Sequence, residues 1–334
     1  MANDVSIVIP VWNGRELLQD LIAGIHGQTL AVHEILVIDN GSTDGAPEMA
    51  ERCGARVIRL GANMGFSRAV NRGIQESQAE WIAVLNSDVE LATDWLERLL
   101  AGAQQSGAWF ATGKILSASD RATIDATYDA ICLGACAWRV GSGRPDGPVF
   151  SQPQDMWFAP WTAAVFRAEL FRKVGLLDEM FESYLEDVEF GLRCAYSNHP
   201  GRYVPGAMAY HVGSSSLGKW HPETVRRISR NQVFLLAKYY PPALLFRLAW
   251  PICISHALWG LVAMSHGTFG SFLRGKVEGL KLWRTARRGG PDLDGDRILK
   301  ILSASEDDIS RVQKSTGFDW YWRLYFSLTL GGSD

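Results

Sequence analysis

Trp81-Ile82-Ala83-Val84-Leu85-Asn86-Ser87-Asp88 is a run of five apolar residues that stops on a short polar turn ending in a carboxylate. An uninterrupted apolar run bounded by polar residues reads as a strand buried on both faces. The arrangement repeats upstream, where Glu34-Ile35-Leu36-Val37-Ile38 stops on Asp39-Asn40-Gly41-Ser42-Thr43-Asp44-Gly45. Downstream, Glu186-Asp187 opens a helical segment and His211 follows an extended run. In open α/β sheets, ligands bind outside the carboxyl ends of the strands. Hard oxygen donors at such an edge suit a divalent cation holding a diphosphate.

Around this centre the pattern predicts strands over 5–11, 34–38, 56–60, 81–85 and 109–116 and helices over 15–26, 46–53, 65–77 and 93–105. Thr93 is the expected N-cap of the last helix, with Glu97 just inside it. The β-α rhythm implies a mostly parallel sheet with helices on both faces, an α/β class. Residues 117–160 break it, and Gly141-Ser142-Gly143-Arg144-Pro145-Asp146-Gly147-Pro148 is a turn-rich loop. Long loops of this kind are lids or binding loops. Helices are expected again over 168–174 and 185–196. Pro10-Val11-Trp12-Asn13-Gly14 stands where a dinucleotide-binding dehydrogenase would carry its glycine fingerprint, which argues against that class.

After Ser216 the character changes. Residues 226–240 read as a basic helix, and 248–264 hold no Lys, Arg, Asp or Glu. A membrane span needs about 20 apolar residues. This stretch is shorter, and Pro251 is expected to kink it, so it should lie as a hairpin arm or pack on the catalytic part. Residues 269–288 place Phe269, Phe272, Leu273, Val277, Leu280 and Trp283 on one face and basic residues on the others. That is the pattern of an interfacial amphipathic helix or of a core-packing helix with a solvated basic face. Twelve Lys and Arg lie between Lys219 and Gly289, opposed only by Glu223 and Glu278. The asymmetry points to an anionic surface as partner. Asp292 to Asp296 reads as a polar linker, and Trp320-Tyr321-Trp322 as aromatic packing or an interface anchor. The expected division is 1–220, 221–290 and 291–334.

With 47% apolar and 21% charged residues, the 334-residue chain is globular and not disordered. Five cysteines without zinc or redox spacing read as small buried hydrophobes in a reducing compartment. The N-terminus enters a strand with no basic-then-apolar leader, so a cytoplasmic start is expected.

In chain order, Ile9-Pro10-Val11-Trp12-Asn13, Ile38 to Asp44, Asn63-Met64-Gly65-Phe66-Ser67-Arg68-Ala69-Val70-Asn71-Arg72-Gly73-Ile74, Asn86-Ser87-Asp88, Glu186-Asp187 and His211 resemble the family 2 glycosyltransferases of the GT-A fold. The match spans about two-thirds of the chain, and it resembles the bacterial branch that adds rhamnose to lipid-linked glycans. The resemblance implies a GT-A-type, Rossmann-like sheet with a C-terminal helical region that associates with membrane. It implies a nucleotide-sugar donor held by Pro10, Asn13, Asp39, Asn63, Asn71, Asn86 and Ser87, and a Mg2+ or Mn2+ ion held by Asp88 and His211. Asn86 stands where the family pattern has a first Asp, which leaves one negative charge fewer. Asp187 would be the general base of an inverting displacement, with Glu186 orienting it or touching the acceptor.

Each residue also has a plainer reading. Asp39 and Ser42 suit a turn, Asp88 a strand-end cap, Glu186 and Asp187 helix caps, and His211 a core histidine. Trp157, Trp161 and Trp220 suit a sugar ring, an isoprenoid chain or the core. The expected donor is a dTDP- or UDP-sugar, the best guess being dTDP-rhamnose. The expected acceptor is a polyprenyl-diphosphate-linked saccharide at the cytoplasmic face of a bacterial inner membrane, where the protein would be peripheral or monotopic. No nucleic acid is expected as partner. A sugar-nucleotidyltransferase or a non-catalytic nucleotide-sugar-binding scaffold remain the alternatives.

Overall fold

The computed structural model describes residues 4–213 and 220–329. The chain forms two compact units, Met1–Asp129 with Gly141–Ser216 and Ala130–Val140 with Leu217–Asp334.

In the first unit, β1 (Val5–Val11), α1 (Arg15–His26), β2 (Glu34–Asp39), α2 (Ala46–Arg52), β3 (Arg56–Arg59), α3 (Phe66–Glu76) and β4 (Trp81–Leu85) alternate as the apolar runs require. β5 (Val89–Leu91), α4 (Trp95–Ser106), β6 (Phe110–Ser117) and β7 (Ile124–Ala126) follow. β8 (Asp129–Ile131) and β9 (Ala137–Arg139) pair with each other. Then come β10 (Gln154–Met156), β11 (Ala163–Arg167), α5 (Ala168–Val174), α6 (Glu186–Tyr196) and β12 (Gly201–His211).

The main sheet has the spatial order β10-β12-β6-β11-β4-β1-β2-β3, with β5 on β12 and β7 on β6. β1 lies parallel to β2 and β4, β2 to β3, and β6 to β12. β11 runs antiparallel between β4 and β6. The strands β1 to β4, β6 and β12 therefore point one way, and their carboxyl ends share one edge. The apolar stripes of α1 (Leu18, Leu21, Ile22, Ile25) and α4 (Leu96, Leu99, Leu100, Ala103) bury themselves with β1, β2 and β4. The 3-to-4 residue spacing puts each stripe on one helix face.

Three details differ from the sequence expectation. β11 was not anticipated, because its short apolar run passes into α5 without a turn residue to separate them. α4 begins at Trp95, and the Thr93 carbonyl instead accepts from the Thr29 amide at 2.9 Å. The 141–148 loop is tied down: the Ile124 amide donates to the Arg144 carbonyl, the Gly143 amide to the Ile124 carbonyl (both 2.8 Å), and Lys114 Nζ contacts Asp146 Oδ1 at 2.7 Å.

The second unit comprises α7 (Pro222–Tyr239), α8 (Pro242–Arg247), α9 (Ala249–Ser265), α10 (Phe269–Lys281), α11 (Trp283–Arg288), α12 (Gly295–Thr316) and α13 (Trp320–Thr329). The β8–β9 hairpin joins it through Ile131 N to Ser305 Oγ (2.8 Å) and Leu133 N to Glu306 Oε2 (2.7 Å). Pro251 sits in the first turn of α9, where an amide needs no intrahelical partner, and the helical run breaks just ahead of it, at Leu248 between α8 and α9. The helix expected over 269–288 is two helices meeting at Leu282. Among the described residues no helix is long and apolar enough to cross a membrane.

α10 packs on α7 through Gly275 and Gly279. A Cβ on Gly279 would come within 2.6 Å of Val233 Cβ, and one on Gly275 would clash with the Arg226 carbonyl. Close approach of the two backbones lets Glu278 reach Arg226 and, at 3.2 Å, Arg230. Several of the twelve basic residues are therefore internal. Arg230 and Lys238 are buried, Arg226, Arg227, Lys276 and Arg287 are half-buried, and Arg247, Arg274, Lys281, Arg284 and Arg288 are exposed. Lys219 lies outside the described residues. Lys276 Nζ meets Gln232 Oε1 at 2.6 Å and His256 Nδ1 at 2.7 Å, and burial pushes its ammonium down to about 7. Of the cysteines, Cys132, Cys136 and Cys194 are buried, as expected, but Cys253 is exposed.

Candidate active site

The edge at the carboxyl ends of the strands is built from three groups of loops. At the first, Asp39 ends β2 and is 4% exposed, and its Oδ1 accepts from the Ser42 amide at 2.8 Å. Ser42 Oγ in turn accepts from the Asn13 amide at 2.8 Å, and Asn13 Oδ1 from the Thr43 amide at 2.9 Å. Asn13 has φ 62°, a left-handed conformation that asparagine tolerates. The loops after β1 and β2 thus lock together beside Pro10, which pairs with Ile38.

The second group joins the start of α3 to the segment before α6. Asn63 is exposed, and its Oδ1 accepts from Asn40 Nδ2 (3.2 Å) and from the Gly65 amide (3.1 Å). Asn71 is buried. Its Nδ2 donates to the Leu177 carbonyl and its Oδ1 accepts from the Leu177 amide, both at 2.9 Å, while Nδ2 also meets Glu179 Oε1 at 3.3 Å. The Ser67 amide donates to the Glu182 carbonyl at 2.9 Å. Gly65, at φ +87°, lies so close that a Cβ there would stand 3.1 Å from the Glu182 oxygen.

Three non-glycine residues in this second segment, Glu182, Tyr184 and Leu185, have φ of 59°, 72° and 65°. Such conformations cost about 1–3 kcal/mol each and persist where surrounding contacts impose them. The turn delivers Glu186 and Asp187 to the first turn of α6. Glu186 is buried, whereas Asp187 is half-buried and its Oδ1 accepts from the Val188 amide at 2.8 Å.

The third group brings the end of β12 against the turn after β4. His211 pairs with Val89 of β5, and the Val212 amide donates to the Asp88 carbonyl at 3.0 Å. His211 Nε2 thereby lies 3.2 Å from Asp88 Oδ1, and its Nδ1 lies 2.9 Å from Asp125 Oδ2. Both Asp88 and His211 are buried. Burial disfavours the imidazolium, but the hydrogen bonds it donates to Asp125 and Asp88, and the charges of those carboxylates, outweigh it and raise His211 to about 9. Asn86 precedes this pair, its amide bound to the Thr162 carbonyl at 2.9 Å, and Ser87 is half-buried. Asp125 was not picked out from the sequence. The available signal was a single acidic residue between Ile124 and Ala126, both of which are buried.

The tryptophans separate. Trp161 is buried among Phe166, Phe171 and Phe190, with ring centroids 4.4, 6.2 and 5.1 Å away. Trp157 is half-buried. Trp220 belongs to the second unit and stacks on His266 at 3.7 Å.

Comparison with known proteins agrees with this architecture. The chain shares 25% identity over 243 residues with the N-acetylglucosaminyl-diphospho-decaprenol L-rhamnosyltransferase of Mycobacterium tuberculosis, covering 66% of this chain and 79% of that one. It shares 27% identity with the pre-mycofactocin glycosyltransferase of the same species, over 65% of this chain and 44% of the relative. A crystal structure of GalNAc-T7 with UDP, GalNAc and Mn2+ superposes with a TM-score of 0.64 at 15% identity, covering 94% of this chain and 58% of that one. The mannosyltransferase of Pyrobaculum calidifontis, in complex with GDP-Man and Mn2+, superposes with a TM-score of 0.52 at 14% identity, over 99% and 88% of the two chains. At these identities the two structures speak for the fold, which is of the GT-A type. The family model of glycosyl transferase family 2 matches residues 6–175, half of the chain, and the chain belongs to that family.

Proposed function

We propose that the protein transfers one sugar, with inversion, from a nucleoside-diphosphate sugar to a polyprenyl-diphosphate-linked saccharide at a membrane surface. L-Rhamnose from a dTDP donor is the specific reading. It is supported by the Mycobacterium tuberculosis relative, whose name gives a rhamnosyl transfer to a decaprenyl-diphosphate-linked N-acetylglucosamine.

The observation that carries the reading is the placement of Asp39, Asp88 and His211 on one edge, with Asp88 Oδ1 and His211 Nε2 3.2 Å apart. Asp39 offers a buried carboxylate that can accept the imide N–H of uracil or thymine. Pro10, Asn13 and Asn63 line the adjoining loops, and Asn86 and Ser87 precede Asp88 on the donor side. Asn71 serves by holding Leu177.

The pair Asp88 and His211 fits a divalent cation: two donor atoms stand side by side, one oxygen and one imidazole nitrogen. An imidazole ligand favours Mn2+ over Mg2+. No three His, Cys, Asp or Glu side chains form a metal cluster among the described residues. Diphosphate oxygens and water would therefore complete the shell, and a cation held there supplies Lewis acidity to the departing nucleoside diphosphate.

Asp187 is the base. It keeps solvent access while Glu186 is buried. A single displacement needs one carboxylate to take the proton from the attacking hydroxyl, and the strained turn through Leu185 fixes where that carboxylate stands.

Membrane attachment falls to the helices after residue 220. Phe246 is 87% exposed, and Trp250, Val277, Leu280 and Trp320 are each exposed by half or more. Apolar burial adds to charge there, since only five of the described Lys and Arg between 220 and 289 are exposed. In this reading residues 1–220 are catalytic, 221–290 dock on the lipid face, and 291–334 are a C-terminal tail.

A panel of nucleotide sugars, with and without Mn2+, tests the reading by thermal stabilisation. A dTDP- or UDP-sugar should raise the unfolding midpoint only when Mn2+ is present. No shift with any donor would refute it.

A further inference from the structure

We propose that Asp125 is a positioning residue for the metal site: it holds the Nδ1–H of His211 and so presents Nε2 as the ligand atom beside Asp88. The inference rests on the metal-dependent reading given above and adds a residue that lies outside every motif described there.

Hydrogen-bond capacity decides where the ring protons of His211 sit. An ionised carboxylate only accepts, so Asp125 Oδ2 at 2.9 Å requires a proton on His211 Nδ1. A neutral imidazole carries one ring proton. Asp88 Oδ1, 3.2 Å from Nε2, accepts in the same way from a doubly protonated ring, and a cation bound beside Asp88 takes the place of that Nε2 proton, leaving the lone pair on Nε2 and the Nδ1–H on Asp125. The opposite tautomer would set a proton where the cation must bind.

The orientation is fixed from behind. Asp125 sits at the centre of β7, between Ile124 (1% exposed) and Ala126 (0%), which face inward. β7 pairs with β6 on one side. On the other, Ile124 exchanges two backbone hydrogen bonds with the 141–148 loop, and the Asp146 amide reaches the Ala122 carbonyl at 2.7 Å. Lys114, itself 5% exposed, clamps Asp146. The carboxylate is thus mounted on a braced strand while His211 is mounted on β12, and both strands pair with β6. The ring is held between two elements of one sheet. Carboxylates placed in this way behind a metal-binding histidine fix its tautomer, and their loss costs roughly 10- to 100-fold in metal affinity.

The test is Mn2+ binding to the full chain in the presence of UDP, followed by electron paramagnetic resonance, for the wild type and for D125N, D125A and D88A. D125N and D125A should each bind Mn2+ about 10- to 100-fold more weakly. D125N is nearly isosteric and guards against a folding defect in D125A. Its amide nitrogen can donate to Nδ1 and so drives the ring proton to Nε2. Nitrogen-15 spectra of the His211 ring with UDP and diamagnetic Mg2+ bound should accordingly show Nδ1–H in the wild type and a shift towards Nε2–H in D125N. A purely structural role would leave that tautomer ratio unmoved. Mn2+ affinity within twofold of wild type in folded D125N, with D88A strongly impaired, would overturn the role of Asp125 while leaving the metal site standing. Equal Mn2+ affinity in wild type and D88A would overturn the metal site and this inference together.

Discussion

Replacing Asn71 with Ala separates two roles that the residue could have. By its place in the motif it belongs to the donor site, but its amide is spent on Leu177. The substitution removes both 2.9 Å bonds to the Leu177 backbone and the 3.3 Å contact with Glu179. Leu177 is 3% exposed, so its amide and carbonyl lose their partners inside the protein. Each stranded group costs about 1–3 kcal/mol. Water entering the vacated space recovers part of this, and the expected loss is about 2–4 kcal/mol in urea unfolding followed by tryptophan fluorescence. Asn71→Asp should be no better. It keeps the bond from the Leu177 amide but sets a second carboxylate against Glu179. A stability loss under about 0.5 kcal/mol, the range of an ordinary surface change, would refute the clamp. If nucleotide affinity fell at the same time with stability intact, Asn71 would be a donor ligand instead.

Three further outcomes follow from the same geometry. Asp187→Asn should leave donor affinity nearly unchanged and lower kcat by roughly 100-fold or more, the scale of a lost general base; turnover near the wild-type rate would pass the role to another residue. Gly279→Ala should destabilise by about 1–3 kcal/mol through overpacking against Val233, whereas Gly270→Ala, with open space around it, should stabilise by up to about 1 kcal/mol through helix propensity; equal effects at the two sites would contradict the α7–α10 packing. Hydrogen bonds from Arg226, then Arg227, hold Glu223 down from 4.5 to about 2, so its contribution is present above pH 4.5 and is lost as pH falls towards 2. Acid titration of Glu223→Gln should show a flatter stability loss over that window than the wild type.

What could be read from the sequence was whatever is written locally. Runs such as Ile35 to Ile38 and Trp81 to Leu85 are apolar because both faces are covered, and the polar residues that stop them mark the carboxyl edge. Asp39, Asp88 and His211 were therefore visible before any coordinates, and the structure gathers all three on that edge. The misses share one cause: they depend on partners far away in the chain. Arg226 and Arg230 counted among the twelve basic residues that point to an anionic surface, but nothing in α7 signals that Glu278 lies against them. The glycines at 275 and 279 carried that signal, since their four-residue spacing clears one helix face for a close neighbour. Ala130–Val140 joins the second unit through Ser305 and Glu306, more than a hundred residues on. Asp125 has meaning only once β7 and β12 are known to flank β6. The inward turn of Asn71 needed Leu177 beside it.

The central claim is metal-dependent sugar transfer by the Asp88 edge. It is tested most directly by incubating the purified protein with Mn2+, a dTDP-sugar or UDP-sugar panel and a polyprenyl-diphosphate-linked N-acetylglucosamine, and measuring the glycosylated lipid. The account predicts product from the wild type with at least one donor, none after chelation of the metal, and none from Asp88→Ala. Transfer that persists undiminished in Asp88→Ala or in the presence of chelator would contradict it.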